Sequence, residues 1–489
     1  MIDLTRNSEQ LEHNIEAAKR ENIILPTFAQ MKEPDSVPQE IKNRLRTTAM
    51  DDLDPVNLFR ITWKNMPVEK GGVYGKPNYI ELPSSLTGVK ARIICLVGKF
   101  FPTGCHKVGA AYGCLVPRLV TGQFDVTKNK AVWPSTGNYC RGGAFNSALL
   151  KCRSVAVMPE NMSRERFEWL EKLGAEVLKT PAGGVSELLK AVSGLRNSGE
   201  DVMVFNQFEE MGNHLWHYAV TGDAMVEVFK SLGPGYRLAG AVFSSGSAGT
   251  TAAGDKLKEL FPSVKVAVGE AAQCPTLLNN GFGDHHIEGI GDSSVPWIHD
   301  CRQTDMIVGV DDMACRKLLR LFNESAGQEY LVSEAGITDA LAEKLPWLGI
   351  SGIANVLAAI KLAKYYELTA GDVVETVLTD SAVLYGSRID EMAEEDGRYT
   401  TSTAAVDFAR YLLAADTSYM EELTYYGRKR IHNLKYFTWC EQQGRSKAEL
   451  DALWYDWEHT FGAVHKQEAE IDALINDFNA KVGLLGSGQ

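Results

Sequence analysis

Between residue 77 and about residue 388, short apolar runs alternate with amphipathic stretches, and this alternation constrains the fold more than any single motif. The runs "ARIICLV" (91–97), "KAVWPS" (130–135), "SVAVMP" (154–159), "DVMVFNQF" (201–208), "LAGAVF" (238–243), "VKVAVGEAA" (264–272) and "ETVLTDSA" (375–382) read as strands. The stretch "SRERFEWLEKLGA" (163–175) reads as a helix, with Ser163 as its N-cap and Phe167, Leu170 and Leu173 on one face. Continuous apolar strands, each followed by a helix, predict a parallel sheet covered on both faces. Ligands of such sheets sit beyond the carboxyl ends of the strands, where the glycine-rich turns of this chain fall.

The two ends have a different texture. Residues 1–75 are polar and turn-rich, with a helix expected near 39–46, and read as an N-terminal extension. Residues 76–388 form the α/β region. From 389 to 489 the strand signal lapses, and "STAAVDFARYLL", "SYMEELTYYGRKRIH" and "ELDALWYDWEHTF" predict a C-terminal helical module. Its tryptophans, Trp439, Trp454 and Trp457, are expected in core or subunit packing.

Composition narrows the function. The 489 residues carry 50 basic and 63 acidic side chains, a net charge of −13, which argues against a nucleic-acid phosphate binder. No apolar run reaches the ~18–20 residues that a membrane span needs, and the mixed-charge N-terminus has no apolar signal core. A cytoplasmic chain is therefore expected. Nine scattered cysteines without a C-x-x-C pair predict reduced thiols, not a disulfide scaffold or a zinc site. The adjacent His285 and His286 point in different directions and make a poor metal pair, so no metal is expected.

Four segments carry chemistry. "PTGCHKVGAA" sets Lys107 among small residues, where a desolvated amine has a lowered pKa and forms Schiff bases. "PSTGNYCRGG" (134–143) follows a strand and offers Ser135, Thr136, Gly137 and Asn138 to an anion, or simply caps a helix. "SSGSAGTTAAG" (244–254) lets successive backbone N–H groups converge on a phosphate at a helix start. It is neither a Walker A loop nor a G-x-G-x-x-G fingerprint, which weighs against a nicotinamide oxidoreductase. "VLTDSAVLYGSR" (377–388) puts Ser381 at a strand's carboxyl end, as a donor to a ring nitrogen or as a plain N-cap.

In this order the four segments resemble the fold type II pyridoxal-phosphate (PLP) enzymes, such as cysteine synthase, threonine dehydratase and the tryptophan synthase beta chain. "AVMPENMSRERFEWLEKLGAEVLKTP" (156–181) is close to the cysteine synthase pattern, and "PNYIELPSSL", "GEAAQCPTL", "HHIEGIGDSSVP" and "LGISGIANVLAAIKLAK" fall in the family's order. The resemblance implies two α/β subdomains around a cleft, the smaller, at about 131–209, closing over substrate. It implies that Lys107 holds PLP as an internal aldimine and then serves as base at Cα, through an aminoacrylate. Asn138 would contact the ring hydroxyl, and Gly246, Ser247, Ala248, Gly249 and Thr250 would cradle the phosphate. Ser381 would face the pyridine nitrogen. Ser135, Thr136 and Gly137 would grip the substrate carboxylate, with Tyr139 next in the loop and Gly289 lining the pocket.

The implied activity is β-elimination or β-replacement on a small L-amino acid by a homodimer. The alternatives are a serine, threonine or diamino-acid dehydratase or ammonia-lyase, and a non-catalytic scaffold that binds a partner protein. This sequence departs from the cysteine synthases at Cys105, at His106 and in its STGNY loop. Arg141 reads as a surface arginine, with pairing to an acidic substrate group as the alternative.

Overall fold

The computed structural model describes residues 1–484 apart from 136, 182–183, 197–198, 200 and 292. The expected alternation resolves into two sheets. The larger has seven strands in the order β1-β2-β10-β7-β8-β9-β11: β1 (Tyr79–Leu82), β2 (Arg92–Val97), β7 (Arg237–Ser244), β8 (Lys265–Ala271), β9 (Met306–Val310), β10 (Asp372–Leu378) and β11 (Met420–Glu422). The smaller has four strands in the order β5-β4-β3-β6: β3 (Lys130–Pro134), β4 (Arg153–Pro159), β5 (Glu176–Thr180) and β6 (Val202–Val204). The small sheet is parallel throughout, and the large sheet is antiparallel only where β1 meets β2 and β11 meets β9. Residues of β10 are buried without alternation, as a strand covered on both faces requires.

The C-terminal region departs from the all-helical expectation. Met420–Glu422 pairs with β9 and closes the sheet edge, because three extended residues suffice to cap an exposed ladder. The run "ELDALWYDWEHTF" is not one helix. It breaks at Asp456 between Lys447–Tyr455 and Phe461–Lys466. Trp439 and Trp454 are buried within the chain, and the Trp439 indole donates to the Val295 carbonyl.

The helix near 39–46 forms as Gln39–Leu45. The N-terminal residues pack against the last helix, Glu468–Val482. The Asn479 amide exchanges two hydrogen bonds with the backbone of Leu25, at 2.9 and 2.8 Å, and Asp472 accepts from the N–H groups of Phe28 and Ala29. The last helix also lies against the helix Lys107–Thr121, so both termini brace the element that begins with the key lysine.

A close helix approach completes this support. Gly113 of the Lys107 helix and Gly212 of Met211–Trp216 face one another. A Cβ on Gly212 would stand 2.2 Å from the Gly113 carbonyl oxygen. That contact carries Asn213 toward the cleft. Next to it, His214 Nε2 and His465 Nε2 lie 2.9 Å apart and share a hydrogen bond. Asp255, on the helix after the glycine-rich loop, stands 3.6 Å from His214. This buried cluster ties the C-terminal helices to the same region.

Candidate active site

The chemistry-bearing segments all leave the carboxyl ends of parallel strands: residues 98–107 after β2, 135–138 after β3, 245–250 after β7 and 379–381 after β10. The side chains that they bring together begin with Lys107. Its Nζ donates to Ser247 Oγ at 2.8 Å and to Gln207 Oε1 at 3.1 Å. Burial without a carboxylate partner lowers its pKa from 10.5 to about 8. A substantial share of the amine is therefore neutral and nucleophilic near pH 8. His106, its neighbour, is buried between Trp63 and His217, and neither ring nitrogen has a partner. Burial holds that imidazole neutral, so no second cation crowds the amine.

The glycine-rich loop runs from β7 into the helix Thr251–Leu260. Ala248 has a left-handed φ of 58°, and Gly249 packs so closely that a Cβ there would stand 2.1 Å from Asn213 Oδ1. Ser247 Oγ accepts from Lys107 and from Asn213 Nδ2 (3.0 Å). With its lone pairs taken, its own proton is free to go to an anion. Gly246, Ser247, Ala248, Gly249 and Thr250 line one narrow cleft with Lys107, Gly289, Asn355 and Thr379. Backbone amides at a helix start, a free hydroxyl proton and a tuned amine form an anion cradle with a carbonyl-capturing group beside it.

Asn138 opens the helix Asn138–Leu149. Its Nδ2 donates to Asp380 Oδ2 at 2.7 Å, which links the small-sheet side of the cleft to the large-sheet side. Its buried Oδ1 has no partner. Asp380 also accepts from the Tyr385 hydroxyl at 2.8 Å, and that hydroxyl accepts from Arg166 at 3.0 Å. Desolvation raises the Asp380 pKa, and the Arg166 guanidinium works against the rise.

The remaining expected residues are placed as follows. Ser135 is buried, and its Oγ accepts from the Gly137 N–H. Gly137 has φ 143° and abuts Arg166, where a Cβ would stand 2.0 Å from Nη1. Thr136 lies outside the described residues. Gly289, with φ 94°, sits near Asn138. Ser381 is buried and lines a second, wider cavity beside the cleft.

Two expectations are corrected. Tyr139, expected beside the carboxylate-gripping residues of the loop, does not line the cleft: it is fully buried and packs edge-on against Trp133, because it falls on the core side of its helix. Arg141 is not at the surface: it is 2% exposed and lines the second cavity. His285 and His286 diverge as expected, toward Gly291 O and Asp312. Gln207, Asn213 and Asp380 were missed. Each is joined to its partner by contacts more than 30 residues apart, which no local pattern displays.

The features fit PLP on structural grounds. A glycine cradle at a helix start suits its phosphate, Lys107 suits its aldehyde, and the uncommitted Asn138 Oδ1 suits its ring hydroxyl. A parallel two-sheet architecture with this cleft defines a fold type II PLP enzyme. The chain belongs to the pyridoxal-phosphate dependent enzyme family, whose pattern matches residues 73–380.

Among its relatives is the cystathionine beta-synthase of Saccharomyces cerevisiae, 25% identical over 353 residues. That match covers 70% of this chain and 66% of the yeast protein. The cysteine synthase of Staphylococcus aureus is 30% identical over 258 residues, covering 52% of this chain and 74% of that protein. A hydrogen sulfide-producing enzyme from Fusobacterium nucleatum shares the fold, with TM-score 0.55 and 23% identity, over 63% of this chain and 96% of its own.

Proposed function

We propose that this protein is a PLP-dependent enzyme of β-replacement or β-elimination on a small L-amino acid. The observation that carries this reading is the Lys107 amine, lowered to about 8 and held 2.8 Å from a hydroxyl of the glycine-rich cradle. Bound at this site, PLP supplies an electron sink for charge that develops at the substrate Cα. The cradle anchors it, and Asn138, oriented by Asp380, stands ready for its ring hydroxyl. Lys107 would hold the cofactor, and its Nζ would take the proton from the substrate Cα. Ser247 Oγ and Gln207 Oε1 keep that nitrogen within the cleft.

Ser381 would be the partner of the ring nitrogen. A neutral hydroxyl does not force that nitrogen to be protonated, which tempers the sink and suits loss of a β-substituent. The cysteine synthase and cystathionine beta-synthase relatives favour this chemistry over a dehydratase or a non-catalytic scaffold. A homodimer in the cytoplasm is part of the same reading. Nine unpaired cysteines, eight of them buried, favour a reducing compartment, and family resemblance supports the dimer. Sedimentation of the holoenzyme tests the dimer.

The deciding experiment offers L-cysteine to holoenzyme and follows 2-oxo acid release with the visible absorbance of the cofactor. Turnover in the wild type and its loss in Lys107→Ala are expected. Wild-type rates in Lys107→Ala would overturn the assignment.

A further inference from the structure

Arg141 lies one turn beyond Asn138 on the same helix. Its guanidinium is buried, and neither Nε nor Nη1 has a hydrogen-bond partner. A buried cation without an acceptor is costly, so the site is incomplete as it stands. The neighbours do not complete it. Arg166 repels it, and burial together with that repulsion lowers its pKa to about 10. The nearby Asp380 attracts it, but that carboxylate takes its hydrogen bonds from Asn138 and Tyr385 on Oδ2, and its Oδ1 forms none with Arg141. The Trp169 ring, 4.5 Å away, offers only its face.

What Arg141 does face is space. With Thr103, Gly104, Trp169 and Ser381 it lines a cavity of about 620 Å³. Three carboxylates at the rim are engaged, Asp51 with Lys172, Glu165 with Ser387 and Glu168 with Arg164, and the fourth, Glu69, is exposed to solvent. The cavity adjoins the cofactor cleft along two chain segments. Gly104 precedes Lys107 by three residues, and Ser381 follows Thr379, which lines the cleft, by two. A substrate whose Cα lies beside Lys107 Nζ therefore has room to extend toward Arg141.

We propose that Arg141 binds a carboxylate carried at the far end of a reactant, on either the β-substituent of the amino acid or the nucleophile that replaces it. This rests on the β-chemistry proposed for Lys107. The planar guanidinium offers paired donors that match a carboxylate, and the cavity has the size of a small-molecule site.

The test is calorimetric titration of holoenzyme with glutarate and with valerate, which differ by one carboxylate. Glutarate binds at least about tenfold more tightly, as a charge-assisted pair predicts. Arg141→Gln abolishes the preference, and Arg141→Lys retains part of it. Equal wild-type affinities overturn the proposal, and this arm needs no variant to fold. Equal weakening of both ligands by Arg141→Gln also overturns it, since Arg141 would then anchor any single carboxylate.

Turnover then distinguishes the source. S-(2-carboxyethyl)-L-cysteine is compared with S-propyl-L-cysteine, and 3-mercaptopropionate with propanethiol. The pair in which Arg141→Gln raises KM for the carboxylated member alone, by about tenfold, identifies the reactant. No selective change in either pair overturns the proposal. Failure of the Lys107 chemistry silences turnover in every variant and leaves the titration readable.

Discussion

A methyl group added at Gly249 probes how the anion cradle is held open. The new Cβ would lie 2.1 Å from Asn213 Oδ1, 2.7 Å from its Cγ and 2.9 Å from its Nδ2. Asn213 is fully buried, so it has no free space to swing into. Moving it breaks two 3.0 Å hydrogen bonds from Nδ2, to the Gln207 carbonyl and to Ser247 Oγ. At about 1 kcal/mol each, roughly 2 kcal/mol of loop ordering is lost. That ordering must then come from cofactor binding, so Gly249→Ala holds PLP about thirtyfold more weakly. The assay is fluorescence titration of apoenzyme with PLP. Asn213→Ala loses the same two bonds and weakens PLP by a similar factor. In the double variant the methyl occupies the vacated volume, and affinity matches Asn213→Ala alone within about twofold. If the two losses multiply instead, the methyl meets something other than Asn213 and the reasoning fails.

Two further perturbations follow from the same contacts. Because burial lowers Lys107 to about 8, the unfolded chain binds more protons between about pH 8 and 10.5, and wild-type apoenzyme gains stability as pH rises through that window. The cost, on the order of 3 kcal/mol before solvent screening, is fully present below pH 8. Urea unfolding should therefore find Lys107→Met more stable than wild type at pH 7, with the advantage fading toward pH 10.5, and a pH-independent difference would contradict the lowered amine. Asn479→Ala leaves the Leu25 N–H and C=O without partners in a buried seam. It should lower unfolding free energy by about 2–4 kcal/mol, and an unchanged urea midpoint would show that the two termini do not brace one another.

How much of this was legible in the sequence depends on the range of the interaction. The strands β2, β3, β4, β7, β8 and β10 fall on the apolar runs read as strands, because strand burial and turn chemistry are written in neighbouring residues. Lys107 and the loop 246–250 were visible for the same reason. Tyr139 and Arg141 were misplaced because they are adjacent to a functional loop, while their direction is set by helix rotation. That rotation turns Tyr139 to the core and Arg141 to a cavity. Met420–Glu422 was missed because a three-residue edge strand has too few positions to show a period.

What has no local signature is the set of contacts that join the two sheets. Asn138 and Asp380 are 242 residues apart and meet at 2.7 Å. Their bond commits one of the two Asn138 Nδ2 protons and fixes the amide plane, leaving the second proton and Oδ1 for the cofactor. The same carboxylate holds Tyr385, which in turn receives Arg166 from the helix after β4. Arg166 is also the group against which Gly137 of the carboxylate loop is packed. A single buried chain of contacts thus runs from the substrate loop, through Arg166, Tyr385 and Asp380, to Asn138. Any movement of the small sheet over the cleft must carry or break this chain. Tyr385→Phe removes its middle link without changing volume. The expected result is a lower kcat with PLP affinity nearly unchanged, because the cradle at 246–250 takes no part in the chain. Equal losses in kcat and PLP affinity would mean that the network holds the cofactor itself and does not serve to align the two halves of the site.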